Sequence, residues 1–296
     1  MTVKPLQLIR ERAWNGPWAH LPKNVADYPS MLSLEERKML GWLTEHYFSG
    51  AGIVCDLGFY LGGSTISLAD GLRRAGRTGK LIQAYDFYEI GPKGWEKHMA
   101  SRGFEFPSDG NALPLVEKMT SDYADLITFN KGDFCQSPVP EAPIEICFVD
   151  ISKSPELNDH IIKSYFSKLI PGQSIVVQQD YFFRAPPWDI ATMEILSDYF
   201  EPLSFADINS AVFLNTKQID DHAIEISSSK HFSKELFIEK IKAASRHFPF
   251  AVQRAQLYKA LRAVQAGSNE VREKAWKNRF KIDEITAEEV YSAFDS

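Results

Sequence analysis

The sequence has few cysteines and no long apolar run. Its three cysteines, Cys55, Cys135 and Cys147, show no C-x-x-C spacing, so neither a disulfide framework nor a zinc cluster is indicated. We expect buried, reduced thiols. No segment approaches the roughly 18 apolar residues that a membrane span requires, and the first residues lack the apolar core of a targeting signal. We therefore expect a cytoplasmic protein without a membrane partner.

The chain also lacks a strong overall charge, because its 296 residues carry a net charge of -6. Residues 230–281, however, hold thirteen Lys and Arg against four Asp and Glu. A basic segment can bind nucleic acid, but the aromatic interleaving and the recognisable module that would support this function are missing. We expect a solvated helical face that can also dock on the acidic remainder of the protein, and no nucleic-acid partner.

Short apolar runs alternate with helical stretches through the middle of the chain. Continuous apolar strands are typical of a parallel sheet that is covered on both faces, so the alternation predicts a doubly wound, Rossmann-like α/β fold. The strands are expected at residues 53–57, 81–85, 126–130, 144–149, 174–178, 203–206 and 211–215, and the helices between them at 65–75, 155–169 and 187–200.

Capping signals mark several helix starts. Ser33 and Glu36 have capping-box spacing, Ser154 precedes Pro155 as an N-cap precedes a first-turn proline, and Thr286 begins another capping box. Beyond Asn215 only helical periodicity remains. We therefore divide the chain into an irregular N-terminal arm (1–32), an α/β domain (33–217) and a helical C-terminal extension (218–296).

A glycine-rich loop follows the first strand. Asp56 is followed by Gly58, Gly62 and Gly63 before a helix, and glycines allow tight turns and close approach of the backbone to a ligand. The spacing differs from the G-x-G-x-x-G fingerprint of dinucleotide sites, which disfavours a nicotinamide cofactor. The alternative is a turn that joins a strand to a helix and binds nothing.

Acidic residues close the next two strands. Asp86 can accept hydrogen bonds from both hydroxyls of a ribose. Asp133 follows Gly132 and can meet an adenine amino group, while Phe134 can flank the ring. Each aspartate has an alternative role as a turn or cap residue.

These motifs resemble class I S-adenosylmethionine (SAM)-dependent methyltransferases, in the group that contains macrocin-type O-methyltransferases and cephalosporin-hydroxylase-like proteins. The resemblance runs from Leu32 to Asn215. It implies a mostly parallel seven-stranded sheet with a reversed final hairpin, and SAM at the carboxyl ends of the first strands. The implied cofactor residues are Asp56, Gly58, Tyr60, Gly62, Gly63, Ser64, Thr65, Asp86, Phe87, Gly132, Asp133 and Phe134.

Oxygen ligands and a lysine follow two later strands. Asp150, Gln179 and Asp180 could hold Mg²⁺, which would lower the pKa of an acceptor hydroxyl. Lys153 is a candidate general base. Macrocin-type enzymes usually have D-G-x-H and two acidic residues at these places, and D-x-x-K instead resembles catechol O-methyltransferases. The alternatives are carboxylates that cap helices and a lysine that is merely solvated.

The function favoured by these observations is O-methylation of a small hydroxylated molecule. Two alternatives stay open, namely a catalytically inactive SAM-binding scaffold and a different, hydroxylase-like enzyme on the same fold. The insertion 88–114, with Trp95, Phe104 and Phe106, is predicted to form a lid over the substrate. The terminal segments are compatible with a homodimer.

Overall fold

The computed structural model describes residues 5–17, 19–87, 100, 105, 107, 109–183, 187–266 and 285–294. The chain forms two compact units, Met1–Ile151 and Ser152–Ser296. Among the described helices, none is both long and apolar enough to cross a lipid bilayer.

Seven β-strands lie close to the positions that the apolar runs predict. They form a sheet in the order β3-β2-β1-β4-β5-β7-β6. Only β7 runs antiparallel to its neighbours β5 and β6, as the resemblance implies. The strands are β1 (Ile53–Leu57), β2 (Ile82–Asp86), β3 (Ile127–Lys131), β4 (Ile144–Val149), β5 (Ile175–Gln178), β6 (Phe200–Ala206) and β7 (Ser210–Asn215). The doubly wound, mostly parallel fold is therefore confirmed.

Eleven α-helices accompany the sheet in the described part of the chain. They are α1 (Pro5–Arg10), α2 (Lys23–Ala26), α3 (Leu34–Trp42), α4 (Gly63–Arg74), α5 (Leu113–Met119), α6 (Pro155–Ser164), α7 (Pro187–Ile195), α8 (Asp221–Ile226), α9 (Lys234–His247), α10 (Ala251–Ala266) and α11 (Ala287–Phe294). A π-helical turn, Leu43–Tyr47, continues α3, and 3-10 turns lie at Ala13–Asn15, Ser121–Tyr123, Phe134–Gln136, Phe166–Lys168 and Ser229–His231.

The predicted helix caps are present. Ser33 accepts a hydrogen bond from the amide of Glu36, whose carboxylate accepts one from the amide of Ser33. Ser154 caps α6 with Pro155 in the first turn, and Thr286 and Glu289 exchange the same pair of bonds before α11. These side chains satisfy amides that the first helical turn leaves unpaired.

The order in which strands are added to the sheet reverses within the first unit. From β1 the chain passes outward to β2 and β3, and then returns to place β4 on the other side of β1. All four strands are parallel, so their carboxyl ends share one edge. In sheets of this kind, ligands bind at this edge, beside the strand pair where the order reverses. That pair is β1 and β4.

Helices α3 and α4 approach each other closely at two glycines. A Cβ atom on Gly71 would lie 2.1 Å from both the carbonyl oxygen of Gly41 and Oγ1 of Thr44. Gly41 and Thr44 therefore leave no space for a side chain at position 71. This explains a glycine within α4, although glycine is a poor helix former.

We expect Gly71→Ala to destabilise the protein by about 1–3 kcal/mol, because the added methyl group has no space. Helix propensity alone predicts the opposite sign, a gain of roughly 0.5–1 kcal/mol. Urea unfolding followed by circular dichroism measures the difference. An alanine variant at least as stable as the wild type would show that the two helices do not approach this closely.

The second unit has an aromatic core behind the antiparallel strands. The rings of Tyr181 and Phe182 lie 5.0 Å apart, and Phe213 on β7 is 5.3 Å from Tyr181. Phe248, just after α9, is 4.9 Å from Phe182. Tyr181 and Phe182 are fully buried core residues.

Two expectations need correction. Cys55 and Cys147 are buried thiols, but Cys135 is exposed because it lies in the short 3-10 turn after β3. The helices predicted at 155–169 and 187–200 end earlier, at Ser164 and Ile195. Apolar residues continue beyond both ends, but they belong to a 3-10 turn and to β6.

Candidate functional site

The carboxyl group of Asp56 fixes the start of the glycine loop. Its Oδ2 accepts hydrogen bonds from Oγ of Ser64 at 2.9 Å and from Oγ1 of Thr65 at 2.6 Å. All three side chains are buried, and they bind one another across the loop that joins β1 to α4. In this arrangement Asp56, Ser64 and Thr65, each predicted to contact the cofactor, shape the loop that would hold it.

Burial raises the pKa of Asp56 from its ordinary value of 3.8 to about 7, although the bonds from Thr65 and Ser64 oppose the shift. Its Oδ1 is buried and has no hydrogen-bond partner in the described part of the chain. A carboxyl group in such surroundings is more stable when protonated, because ionisation would leave a charge out of contact with water.

Asp56→Asn should therefore change how stability depends on pH. The pKa of Asp56 is higher in the folded protein than in the unfolded chain. The protonated carboxyl group therefore stabilises the fold fully at pH values below 3.8, and this stabilisation is lost as the pH rises through about 7. Between about pH 5 and about pH 9 the variant should gain about 2–3 kcal/mol relative to the wild type. Thermal unfolding of both proteins across this range measures the difference, and parallel curves would contradict the assignment.

Gly58 allows the first and fourth strands to end side by side. Its φ is +93°, and a Cβ atom there would lie 2.8 Å from the carbonyl carbon of Asp150 and 2.9 Å from the amide nitrogen of Ile151. The amide of Asp150 donates to the carbonyl oxygen of Leu57 at 2.7 Å. A glycine is needed at position 58 because the backbone of the loop contacts the backbone that follows β4. This contact places Asp150 beside the loop.

The tip of the loop is bonded to the end of the second strand. The backbone amide of Tyr60 donates to Oδ2 of Asp86 at 2.7 Å, and Tyr60 has a left-handed backbone with φ of 52°. Both residues are partly exposed. The structure thus brings together the loop and the acidic residue that the sequence predicts as a ribose ligand.

The turn after the third strand is bonded to the end of the second. Gly132 donates its amide hydrogen to the carbonyl oxygen of Asp86 at 3.2 Å, and among the described residues, its two chain neighbours aside, no atom lies within 4 Å of where its Cβ would be. Asp133 is exposed, and its Oδ1 caps the following turn through the amide of Cys135. Phe87 is 51% exposed. These groups form an accessible surface suited to a ribose and an adenine ring.

Phe134 does not belong to that surface. It is buried, and its ring meets that of Tyr85 edge-on at a centroid distance of 5.9 Å. The role that the sequence suggests, stacking on an adenine ring, fits the half-exposed Phe87 better.

The N-terminal arm contributes contacts to the glycine loop that the sequence did not predict. Tyr28 donates its hydroxyl hydrogen to the carbonyl oxygen of Leu61 at 2.7 Å. A Cβ atom on Gly62 would lie 3.0 Å from that hydroxyl, and one on Gly63 would lie 2.2 Å from Oγ of Ser30. The paired glycines admit the arm, which covers the loop. Two adjacent glycines in the sequence indicate a close contact at this point of the loop, but they do not identify the residues of the arm that make it.

In the second unit, Lys153 and Asp180 form an ion pair. Nζ of Lys153 lies 2.6 Å from Oδ2 of Asp180, and their side chains are 40% and 20% exposed. At this distance the Lys153 side chain donates a hydrogen bond to the Asp180 carboxylate. The role of Lys153 as a general base stays a prediction.

The residues predicted to bind Mg²⁺ do not make a convincing site. Asp180 is already bound to Lys153, and the side-chain oxygen of Gln179 is buried without a hydrogen-bond partner among the described residues. Within the part of the chain that the structure describes, no three His, Cys, Asp or Glu residues group together as metal ligands would. The predicted site therefore gains no support.

The predicted lid lies almost entirely outside the described residues. Of the insertion 88–114, the structure describes residues 100, 105, 107 and 109–114. Trp95, Phe104 and Phe106 are not among them, so the lid stays a prediction.

No protein family model matches the sequence, and no curated protein does. Solved structures do resemble the chain. The O-methyltransferase NovP is 16% identical, with a TM-score of 0.50, over 72% of this chain and 98% of its own. The calicheamicin methyltransferase CalS11 is 14% identical, with a TM-score of 0.48, over 73% of this chain and 94% of its own.

Of these two, NovP reaches the similarity at which a shared fold is established, while an identity of 16% leaves the activity open. The chain therefore shares the Rossmann-like fold of NovP.

Proposed function

We propose that the protein transfers a methyl group from SAM to a hydroxyl group of a small molecule. The observation that carries this proposal is the 2.7 Å bond between the Tyr60 amide and Asp86. This bond joins the glycine loop to the acidic residue at the end of β2. Both lie at the sheet edge where ligands bind in folds whose strand order reverses, and this fold is shared with the O-methyltransferase NovP.

The residues of the first unit suit an adenosyl ligand. Asp86 is placed to accept hydrogen bonds from ribose hydroxyls, and Phe87 offers an apolar face for adenine. When bound, SAM supplies a methyl group on a positively charged sulfur, which an acceptor oxygen can attack. The protein's part is mainly to position the two reactants, and positioning can contribute roughly 7–11 kcal/mol.

The domain assignment follows from this proposal. Residues 33–217 supply the SAM-binding fold, and residues 218–296 extend it. The arm, residues 1–32, adds a covering for the loop through Tyr28 and Ser30.

Calorimetric titration with S-adenosylhomocysteine tests the cofactor site. We expect wild-type protein to bind it, and Asp86→Ala to bind roughly 10- to 100-fold more weakly, because hydrogen bonds to a charged acceptor contribute about 1.5–3 kcal/mol. Asp122→Ala is the matched control, since Asp122 is an exposed carboxylate in the same unit, in the turn before β3.

The outcomes separate the parts of the proposal. If neither SAM nor S-adenosylhomocysteine binds the wild type, the proposed function is wrong. If both bind and Asp86→Ala behaves as the control does, SAM binding stands but the ribose contact is misassigned. Transfer of labelled methyl groups to a panel of sugars, phenols and other hydroxylated molecules then tests catalysis. SAM binding without transfer to any acceptor would favour the inactive scaffold.

A further inference from the structure

The tip of the glycine loop contains a backbone conformation that other groups must stabilise. Tyr60 has φ of 52°, and Gly62 has φ of 87°. The left-handed conformation is unfavourable for a residue with a side chain such as that of Tyr60. Leu61 lies between these two residues, and its carbonyl oxygen accepts a hydrogen bond from the hydroxyl of Tyr28 at 2.7 Å. The N-terminal arm is thus bonded to the loop at its strained tip.

The same tip carries the hydrogen bond on which the proposed cofactor site depends. The amide of Tyr60 donates to Oδ2 of Asp86, the residue that we expect to meet the ribose. This amide and the carbonyl group of Leu61 are only one peptide unit apart in the chain. A change of backbone conformation at Tyr60 therefore moves both groups together, and a tip that loses the bond to Tyr28 is less firmly directed at Asp86.

Tyr28 is itself fixed by a buried cation on α3. Nη1 of Arg37 donates to the carbonyl oxygens of Ala26 at 3.1 Å and of Tyr28 at 3.2 Å. Arg37 is 3% exposed, so loss of these acceptors would leave a buried charge poorly compensated. The amide of Tyr28 also donates to the carbonyl oxygen of Val25 at 3.2 Å. The hydroxyl therefore extends from a part of the arm whose backbone is held in place.

The packing around the Tyr28 hydroxyl is close. A Cβ atom on Gly62 would lie 3.0 Å from this hydroxyl and 3.0 Å from Cγ1 of Val116 on α5. Leu61 is fully buried, and Tyr28 is nearly so. In Tyr28→Phe the aromatic ring stays, and the Leu61 carbonyl loses its donor. A buried acceptor that loses its partner destabilises the conformation in which it is buried.

We propose that Tyr28 is a positioning residue for the cofactor, because its hydrogen bond to Leu61 holds the loop in the conformation that binds SAM. This inference rests on the proposed function. Tyr28 acts through Leu61 and Tyr60 on Asp86. When the bond is missing, the loop populates other conformations, and the apparent dissociation constant rises in inverse proportion to the fraction that remains competent to bind. The affinity of the site is thereby set in part by the arm.

Calorimetric titration of Tyr28→Phe with S-adenosylhomocysteine tests the inference. We expect binding roughly 5- to 30-fold weaker than that of the wild type, because a buried acceptor has lost a hydrogen bond. Tyr47→Phe is the matched control and should bind as the wild type does. Tyr47 lies in the π-helical turn before β1, close to Ser49, whose amide donates to Glu145 near the start of β4. This is the end of the strands opposite to the glycine loop.

Hydrogen exchange separates positioning from a general loss of stability. In the ligand-free protein, the amides of Tyr60 and Gly62 should exchange faster in Tyr28→Phe than in the wild type or in Tyr47→Phe. Coupling between two sites is reciprocal. Saturating S-adenosylhomocysteine should therefore slow exchange of the residue 28 amide in the wild type and in Tyr47→Phe, and much less in Tyr28→Phe. Thermal unfolding shows whether each variant is folded at the temperature used.

Equal affinity of the wild type and Tyr28→Phe for S-adenosylhomocysteine would overturn the inference, and so would loop amides that exchange at the same rate in both proteins. Equal weakening in Tyr28→Phe and Tyr47→Phe would also overturn it, because a general loss of stability would then explain the effect. Failure of the proposed function is a different result, since the wild type itself would then bind neither SAM nor S-adenosylhomocysteine, and the inference would fall with it.

Discussion

A carboxyl group with no exposed surface holds the central strand to the first helix of the α/β unit, because Asp56 accepts hydrogen bonds from both Ser64 and Thr65. The glycine loop lies between these anchors, so its two ends are fixed. Once they are fixed, the Tyr60 amide meets Asp86, and the second strand is coupled to the loop as well. The geometry of the glycine loop and of the end of β2 thus depends on one buried polar cluster.

Much of the fold could be predicted because its signals are local. The continuous apolar runs locate all seven strands to within a few residues, and a serine three residues before an acidic one locates α3 through its capping box. Strand order is different, because it depends on which strands meet after the chain has crossed the sheet. The resemblance to a family implied only the reversed final hairpin, and the order itself came from the structure, since no periodicity could have supplied it.

The site was predictable in its residue types but less so in their roles. Spacing places Asp56, Ser64 and Thr65 near the loop, yet it does not say that their side chains bind one another. Similarly, Phe134 and Phe87 each lie beside a strand end, and only the packing of Phe134 on Tyr85 separates the buried ring from the exposed one. The contact between Lys153 and Asp180 joins residues 27 positions apart, beyond the reach of any local pattern.

The contacts of Tyr28 and Ser30 with the paired glycines also affect where this domain can be cut. Leu32 is where the resemblance to methyltransferases begins, and a shortened chain starting there would appear to retain every recognisable motif. It would nevertheless lose the hydroxyl that binds the Leu61 carbonyl, and it would expose the surface of Gly62 and Gly63 to water. The smallest version of this domain that keeps an intact loop therefore begins upstream of Tyr28, in a stretch that carries no motif at all.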